Sequence, residues 1–230
     1  MNELHESIND LLQRRKEIEE ELMGKFGKKL TVMFTDMKGS TEIYELDGDI
    51  EGRAIIKEHN DILIPIIKDH GGRVVKTIGD AIMAGFSEST QAVIAAVQMQ
   101  EALQKYNASQ EKKIRIRIGL HTGAAIEEPD DIYGDVVNTA ARVEGLAYSN
   151  QILISESTYQ DIGTIGGISF HDHGSYQLKG RGPLSIHETL WYVDQKPIKP
   201  KGQMTKRDEK ELLAKLGHEY HKKLDNQLKK

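Results

Sequence analysis

The chain has 230 residues, 38% of them hydrophobic and 29% charged, with no cysteine and a formal net charge of −5. That length supports one sizeable domain plus short extensions, and the lack of cysteine excludes disulfides and thiolate metal sites. No apolar run approaches the ~20 residues of a membrane span, and the negative balance argues against general nucleic-acid binding. The charge is uneven, however: residues 196–230 carry eleven Lys/Arg against five Asp/Glu, so the body is acidic and the tail basic. The opening Met-Asn-Glu-Leu-His-Glu lacks the basic-then-apolar layout of a secretory signal, and a cytoplasmic location is expected.

Residues 1–27 place Leu4, Leu11 and Ile18 seven apart, with Ile8 and Leu22 between them. This predicts a short heptad-like helix, weakened by Arg15 at a seam position. It either pairs with a second copy or lies on its own domain. Residues 28–194 read as the body. Leu30 to Phe34 is a compact apolar strand ending in Thr35-Asp36, followed by a long amphipathic helix carrying Ile55, Ile56, Ile62, Leu63, Ile66 and Ile67 and stopped by Gly71-Gly72. Arg73 to Ile78 and Ala81 to Phe86 are two strands around a two-residue turn, Gly79-Asp80. A helix over Thr90–Tyr106 and a strand over Ile114–His121 complete a β-α-β-β-α-β order. That order predicts an α+β, ferredoxin-like core with helices on one face of an antiparallel sheet. A helix near Val136–Leu146, a strand at Ile152–Ile154 and β-rich sequence to Val193 form a C-terminal β extension. Residues 195–230 open with a Lys/Pro linker and continue as a basic amphipathic helix through Leu212, Leu216, Tyr220, Leu224 and Leu228. That helix suits docking on protein, with an anionic membrane as the alternative.

The chemistry-bearing residues begin at Phe34-Thr35-Asp36-Met37-Lys38-Gly39-Ser40-Thr41. An apolar strand delivers a carboxylate to its end, and the Gly39/Ser40/Thr41 turn offers backbone N–H groups to phosphate oxygens. Asp80 lies at the hairpin tip, and a ferredoxin-like sheet brings that tip beside the first strand. Two hard oxygen donors near a phosphate-binding turn suit Mg²⁺ or Mn²⁺, although a turn Asp and a capping Asp would look the same in isolation.

Four blocks in order resemble the class III adenylate and guanylate cyclases: Phe34 to Thr41, Lys76-Thr77-Ile78-Gly79-Asp80, Ile118-Gly119-Leu120-His121-Thr122-Gly123, and Asp131 to Arg142. The similarity spans about residues 30–193. The resemblance implies that Asp36 and Asp80 hold two divalent cations, Mg²⁺ or Mn²⁺, and that Asn138 and Arg142 act on the transition state. It places Lys76 and Asp131 at the purine-selecting positions and Lys179 on the triphosphate, with Arg181 as a possible second cation. Lysine donating to adenine N1 and aspartate accepting from its amino group would favour ATP over GTP. The implied activity is adenylate cyclase, forming 3′,5′-cyclic AMP and pyrophosphate. The family pattern also implies a homodimer with shared sites, Asp36 and Asp80 from one copy and Lys76, Asp131, Asn138 and Arg142 from the other. A guanylate or mixed-purine cyclase, a non-catalytic nucleotide-binding regulator, and a polymerase-like or diguanylate cyclase domain, which would need no Asn138/Arg142 block, are the alternatives. An upstream sensor domain or partner protein would fit the same pattern. His171-Asp172-His173 reads as ordinary surface, and His121 is given no catalytic role.

Overall fold

The computed structural model describes residues 7–39, 48–178 and 182–202. Helix α1 (Ile8–Phe26) leads into strand β1 (Gly27–Met37), and helix α2 (Asp49–Asp69) precedes the hairpin of β2 (Arg73–Ile78) and β3 (Ala81–Phe86). Helix α3 (Ser89–Ser109) then leads to β4 (Ile116–Glu127), the two-residue β5 (Ile132–Tyr133) and helix α4 (Asp135–Leu146). Strand β6 (Ile152–Ser155), the short helix α5 (Glu156–Asp161) and strands β7 (Ser169–Leu178) and β8 (Gly182–Leu190) complete the order. The sheet runs β2-β3-β1-β4-β6-β8-β7, with β5 paired to β4. Its first four strands have the ferredoxin-like order expected, and β6 to β8 extend the sheet beyond β4.

Alternation along β1 sorts its side chains between two cores. Met33 and Met37 face α2 and α3, where they join Ile55, Leu63, Ile67, Val93 and Met99. Leu30 and Val32 face the other way and join Met83, Ala125, Ile132, Val136 and Ala140 beneath α4. The expectation of helices on one face therefore holds for α2 and α3, while α4 covers the opposite face. Pro65 sits inside α2 on its exposed side, so the helix continues through the apolar run from Ile62 to Ile67.

The first strand and β4 are both longer than their apolar runs. Pairing from Gly27↔Ile126 to Met37↔Ile116 carries polar and small residues into the ladder, which apolar patterning does not reveal. Helix α1 begins with a capping box, Ser7 and Asp10 satisfying each other's backbone N–H. None of its residues is buried, and Ile8, Leu11, Leu12, Ile18 and Leu22 are exposed. No described helix is long and apolar enough to cross a membrane. The expected C-terminal helix over Leu212–Leu228 and the seam residue Leu4 lie outside the described residues.

Helix α4 is seated closely on the sheet. A Cβ on Gly119 of β4 would lie 2.1 Å from the Glu144 backbone nitrogen, so only glycine permits this approach. At the start of α4, Gly134 is the N-cap with φ of 134°, and the Met23 side chain of α1 comes within 3.1 Å of where its Cβ would be. At its end, the backbone N–H of Lys201 donates to Leu146 O at 2.9 Å.

Candidate active site

Asp36 and Asp80 reach the same end of the sheet on adjacent strands. Thr35 pairs with Ile82, so the next residue of β1 and the turn before β3 meet at that edge. The β2–β3 turn closes through Gly79 at φ of 63°, a left-handed conformation that suits glycine. Gly39 likewise adopts φ of 81° in the turn after β1. Ser40, Thr41, Lys179 and Arg181 lie outside the described residues.

The two carboxylates have different partners. Asp36 Oδ2 accepts from Arg117 Nε at 2.9 Å and from Arg117 Nη2 at 2.5 Å. Arg117 also lies 2.5 Å from Glu144 Oε1 of α4, so one guanidinium bridges two carboxylates. Burial pushes the Glu144 carboxyl up to about 7, against the opposing pull of Arg117. Asp80 Oδ2 is buried with no hydrogen-bond partner in the protein, an arrangement costly for a carboxylate unless a ligand meets it. Two hard oxygen donors, one of them an orphan, fit a hard divalent cation. Among the described residues no group of three or more His, Cys, Asp and Glu could hold a metal by itself, so water and substrate oxygens would complete any coordination shell.

Beneath this edge lies His59 of α2, fully buried. Its Nδ1 is 3.0 Å from Asn60 Oδ1 and its Nε2 has no partner. Burial pushes the imidazole below the ordinary histidine range, and the nearby Asn60, Asp80 and Asp36 pull the other way.

Lys76 and Asp131 form a second cluster. Lys76 Nζ lies 2.8 Å from Asp131 Oδ1 and 2.7 Å from Oδ2, and Asp131 Oδ1 also accepts from the Ile132 N–H at 2.9 Å. The hydrogen bond from Lys76, then that from Ile132, holds the Asp131 carboxyl below the usual carboxylate range. Asn138 and Arg142 are one turn apart on α4, whose inward side is Val136, Thr139, Ala140 and Val143. Asn138 is exposed, and Arg142 Nη1 is buried with no hydrogen-bond partner. The structure thus brings Lys76 to Asp131, and sets Asn138 beside Arg142.

Reading the sequence alone missed Arg117, Glu144 and His59. Arg117 stands just before Ile118-Gly119, but only the sheet register sets it directly across from Asp36. The pair with Glu144 depends on how α4 packs and left no signal in the sequence. One expectation is corrected. His173 is not ordinary surface: its side chain is 6% exposed and its Nε2 lies 2.9 Å from Glu188, whose carboxylate is fully buried. The reason is the cross-strand packing of β7 on β8, where a histidine satisfies a buried carboxylate. His121 is buried too, with Nδ1 2.7 Å from Ser155 Oγ.

Residues 24–192 match the family described as the adenylate and guanylate cyclase catalytic domain. An adenylate cyclase of Anabaena cylindrica is 31% identical over 183 residues, covering 70% of this chain and 36% of its own length. Retinal guanylyl cyclase 2 of Bos taurus is 29% identical over 185 residues, covering 73% of this chain and 16% of its own. The chain therefore spans about a third or less of these curated relatives. Among solved structures, the adenylyl cyclase CyaB from P. aeruginosa superposes with a TM-score of 0.65 at 27% identity, covering 74% of this chain and 98% of that one. With the family pattern matched over most of the body and the same architecture found in a solved cyclase, the chain belongs to the class III adenylate and guanylate cyclase catalytic domains.

Proposed function

We propose that this chain is an adenylate cyclase, converting ATP to 3′,5′-cyclic AMP and pyrophosphate at sites shared by two copies. The observation that carries the choice of purine is the Lys76–Asp131 pair, with Nζ within 2.8 Å of both carboxylate oxygens. Together these side chains present a donor and an acceptor, the complement of adenine's N1 and amino group. Guanine's O6 and N1–H would leave polar groups unpaired, which a site built for hydrogen bonding penalises heavily. Relatives of both substrate classes match this chain, so the pair, rather than the family, supports ATP.

In the reaction the ribose 3′-hydroxyl gives up its proton to solvent water, its oxygen bonds to the α-phosphorus as the bond to the bridging oxygen breaks, and pyrophosphate leaves with that electron pair. Asp36 and Asp80 would hold two divalent cations, Mg²⁺ or Mn²⁺, which supply charge neutralisation and a lowered hydroxyl pKa when bound. Arg142 supplies a permanent positive charge and several donors for the charge that builds on the α-phosphate. Asn138, four residues before it, orients the ribose from the same helix face. Lys179 and the Gly39-Ser40-Thr41 turn contact the phosphates in this reading. We take residues 28–194 as the catalytic domain, with 1–27 and 195–230 as its extensions, and a cytoplasmic location supplies the ATP.

A homodimer fits the distribution of partners. Asn138 is exposed, and Asp36 is engaged by Arg117 rather than by the Lys76–Asp131 cluster. Ile78, beside the Gly79-Asp80 turn, is 56% exposed, an apolar side chain that a second copy would cover. The test of substrate choice is the exchange of Lys76→Glu together with Asp131→Cys. The ratio of kcat/KM for ATP over GTP should fall by at least about tenfold; an unchanged ratio would refute the assignment of these two residues.

A further inference from the structure

Asp131 is useful as a base reader only if its carboxylate is held in place, and the turn that carries it has little to hold itself. Residues 127–131 contain Pro129 and two acidic residues besides Glu127 and Asp131, and beyond the ladder pair Glu127↔Ile132 the turn closes on the backbone bond from Glu128 N–H to Asp131 O at 3.0 Å. Arg73 on β2 supplies the rest. Its Nη1 donates to Pro129 O at 2.7 Å, its Nη2 to Glu128 O at 3.1 Å and to Asp131 O at 3.4 Å. Its Nε donates to Glu127 Oε1 at 3.3 Å. One side chain therefore gathers four residues of the turn.

The backbone is shaped for this. Three residues apart, Arg73 and Lys76 would fall on opposite faces of a regular strand. The pairing of β2 with β3 shifts between Val74 and Lys76, so that Arg73 sits opposite Gly85 and Lys76 opposite Met83. Gly85 and Met83 are two apart and share a face, so the bulge puts both cations on the side of β5. Gly85 itself makes room there: a Cβ on it would lie 2.4 Å from Ile132 Cδ1. The buried Ile132 side chain thus anchors the residue next to Asp131.

We propose that Arg73 is a specificity-determining positioning residue, which fixes the 127–131 turn so that the Asp131 carboxylate meets Lys76 and the purine. This rests on the reading of Lys76 and Asp131 as the base-selecting pair. A guanidinium suits the task because its planar fork offers five donors, where a lysine offers a single centre that cannot span three carbonyls and a carboxylate.

The experiment measures kcat and KM for ATP and for GTP in the full chain, for Arg73→Ala, Arg73→Lys, Asp131→Ala and the Arg73→Ala/Asp131→Ala double variant. Arg73→Ala should raise the ATP KM and lower the ATP-over-GTP ratio of kcat/KM by about ten- to a hundredfold, by analogy with outer partners that orient metal-ligating side chains. Arg73→Lys, which keeps the charge, should lose part of the ratio. In the Asp131→Ala background the Arg73 change should have no further effect on the ratio, because its action passes through Asp131. A wild-type ratio in Arg73→Ala, or in Arg73→Lys should the alanine variant fail to fold, overturns the proposal. So does an equal loss with Asp131 already removed. If Lys76→Glu with Asp131→Cys changes selectivity while Arg73→Ala does not, only the role of Arg73 falls. If the wild-type chain shows no purine preference, the base-selecting reading falls and this proposal with it.

Discussion

Gly119→Ala adds one methyl group at the place where α4 touches the sheet. Its Cβ would sit 2.1 Å from the Glu144 nitrogen, 2.3 Å from Glu144 Cα and 2.6 Å from Glu144 Cβ, whereas ordinary contact begins at 3.4 Å. The first two of these atoms are backbone, so no rotamer change relieves the clash, and α4 must recede by about 1 Å. Overpacking of this kind costs about 1–3 kcal/mol, a loss that a domain of ordinary stability survives. The functional loss should be larger in proportion. Asn138 and Arg142 ride on the displaced helix, and a misplacement of about 1 Å costs on the order of 10²-fold in rate. The assay is cyclic AMP formation at saturating ATP, beside a thermal melt of the same preparation. Gly123→Ala on the same strand is the control, since its Cβ would meet nothing closer than 3.5 Å; it should keep near wild-type turnover. A folded Gly119→Ala variant with kcat within about twofold of wild type would show that this contact does not set the position of Asn138 and Arg142 for turnover.

Asp36→Ala and Asp80→Ala should each abolish metal-dependent turnover while the far-ultraviolet circular dichroism stays native, and full activity in either would remove its metal role. Mixing Asp36→Ala with Arg142→Ala chains, each inactive alone, should restore one complete site per heterodimer; no recovery in a verified heterodimer would refute shared sites. Glu144 has its folded pKa raised from 4.5 to about 7, so the folded state binds the extra proton and its contribution to stability falls as pH rises through that window. Glu144→Gln should flatten the loss of stability between pH 4.5 and 7, measured as Tm against pH; an unchanged slope would show that Glu144 titrates normally.

Much of this arrangement was legible in the sequence because it is local. Strands β2 and β3 begin and end where apolar alternation and the Gly79-Asp80 turn place them, and the i,i+4 spacing of Asn138 and Arg142 survives directly as one helix face. What was not legible is non-local. The bridge from Asp36 through Arg117 to Glu144 joins β1, β4 and α4, and only the register of the sheet brings its members together. Helix α4 covers the face opposite α2 and α3, a choice set by Gly119 and the small side chains near it rather than by any periodicity. The second half of β4, Thr122 to Glu127, is rich in glycine and alanine; it is a strand because β1 is present to pair with it, and its own composition says little. His173 shows the same limit, since its burial depends on Glu188 across the ladder.

Whether this chain is an adenylate cyclase is decided by product formation from purified protein, with ATP and GTP in parallel, in Mn²⁺, in Mg²⁺ and in excess chelator. An adenylate cyclase with this site should give cyclic AMP from ATP in the presence of metal, little cyclic GMP from GTP, and neither product in chelator. No cyclic nucleotide from a folded dimer, or cyclic GMP as the main product, would contradict that assignment.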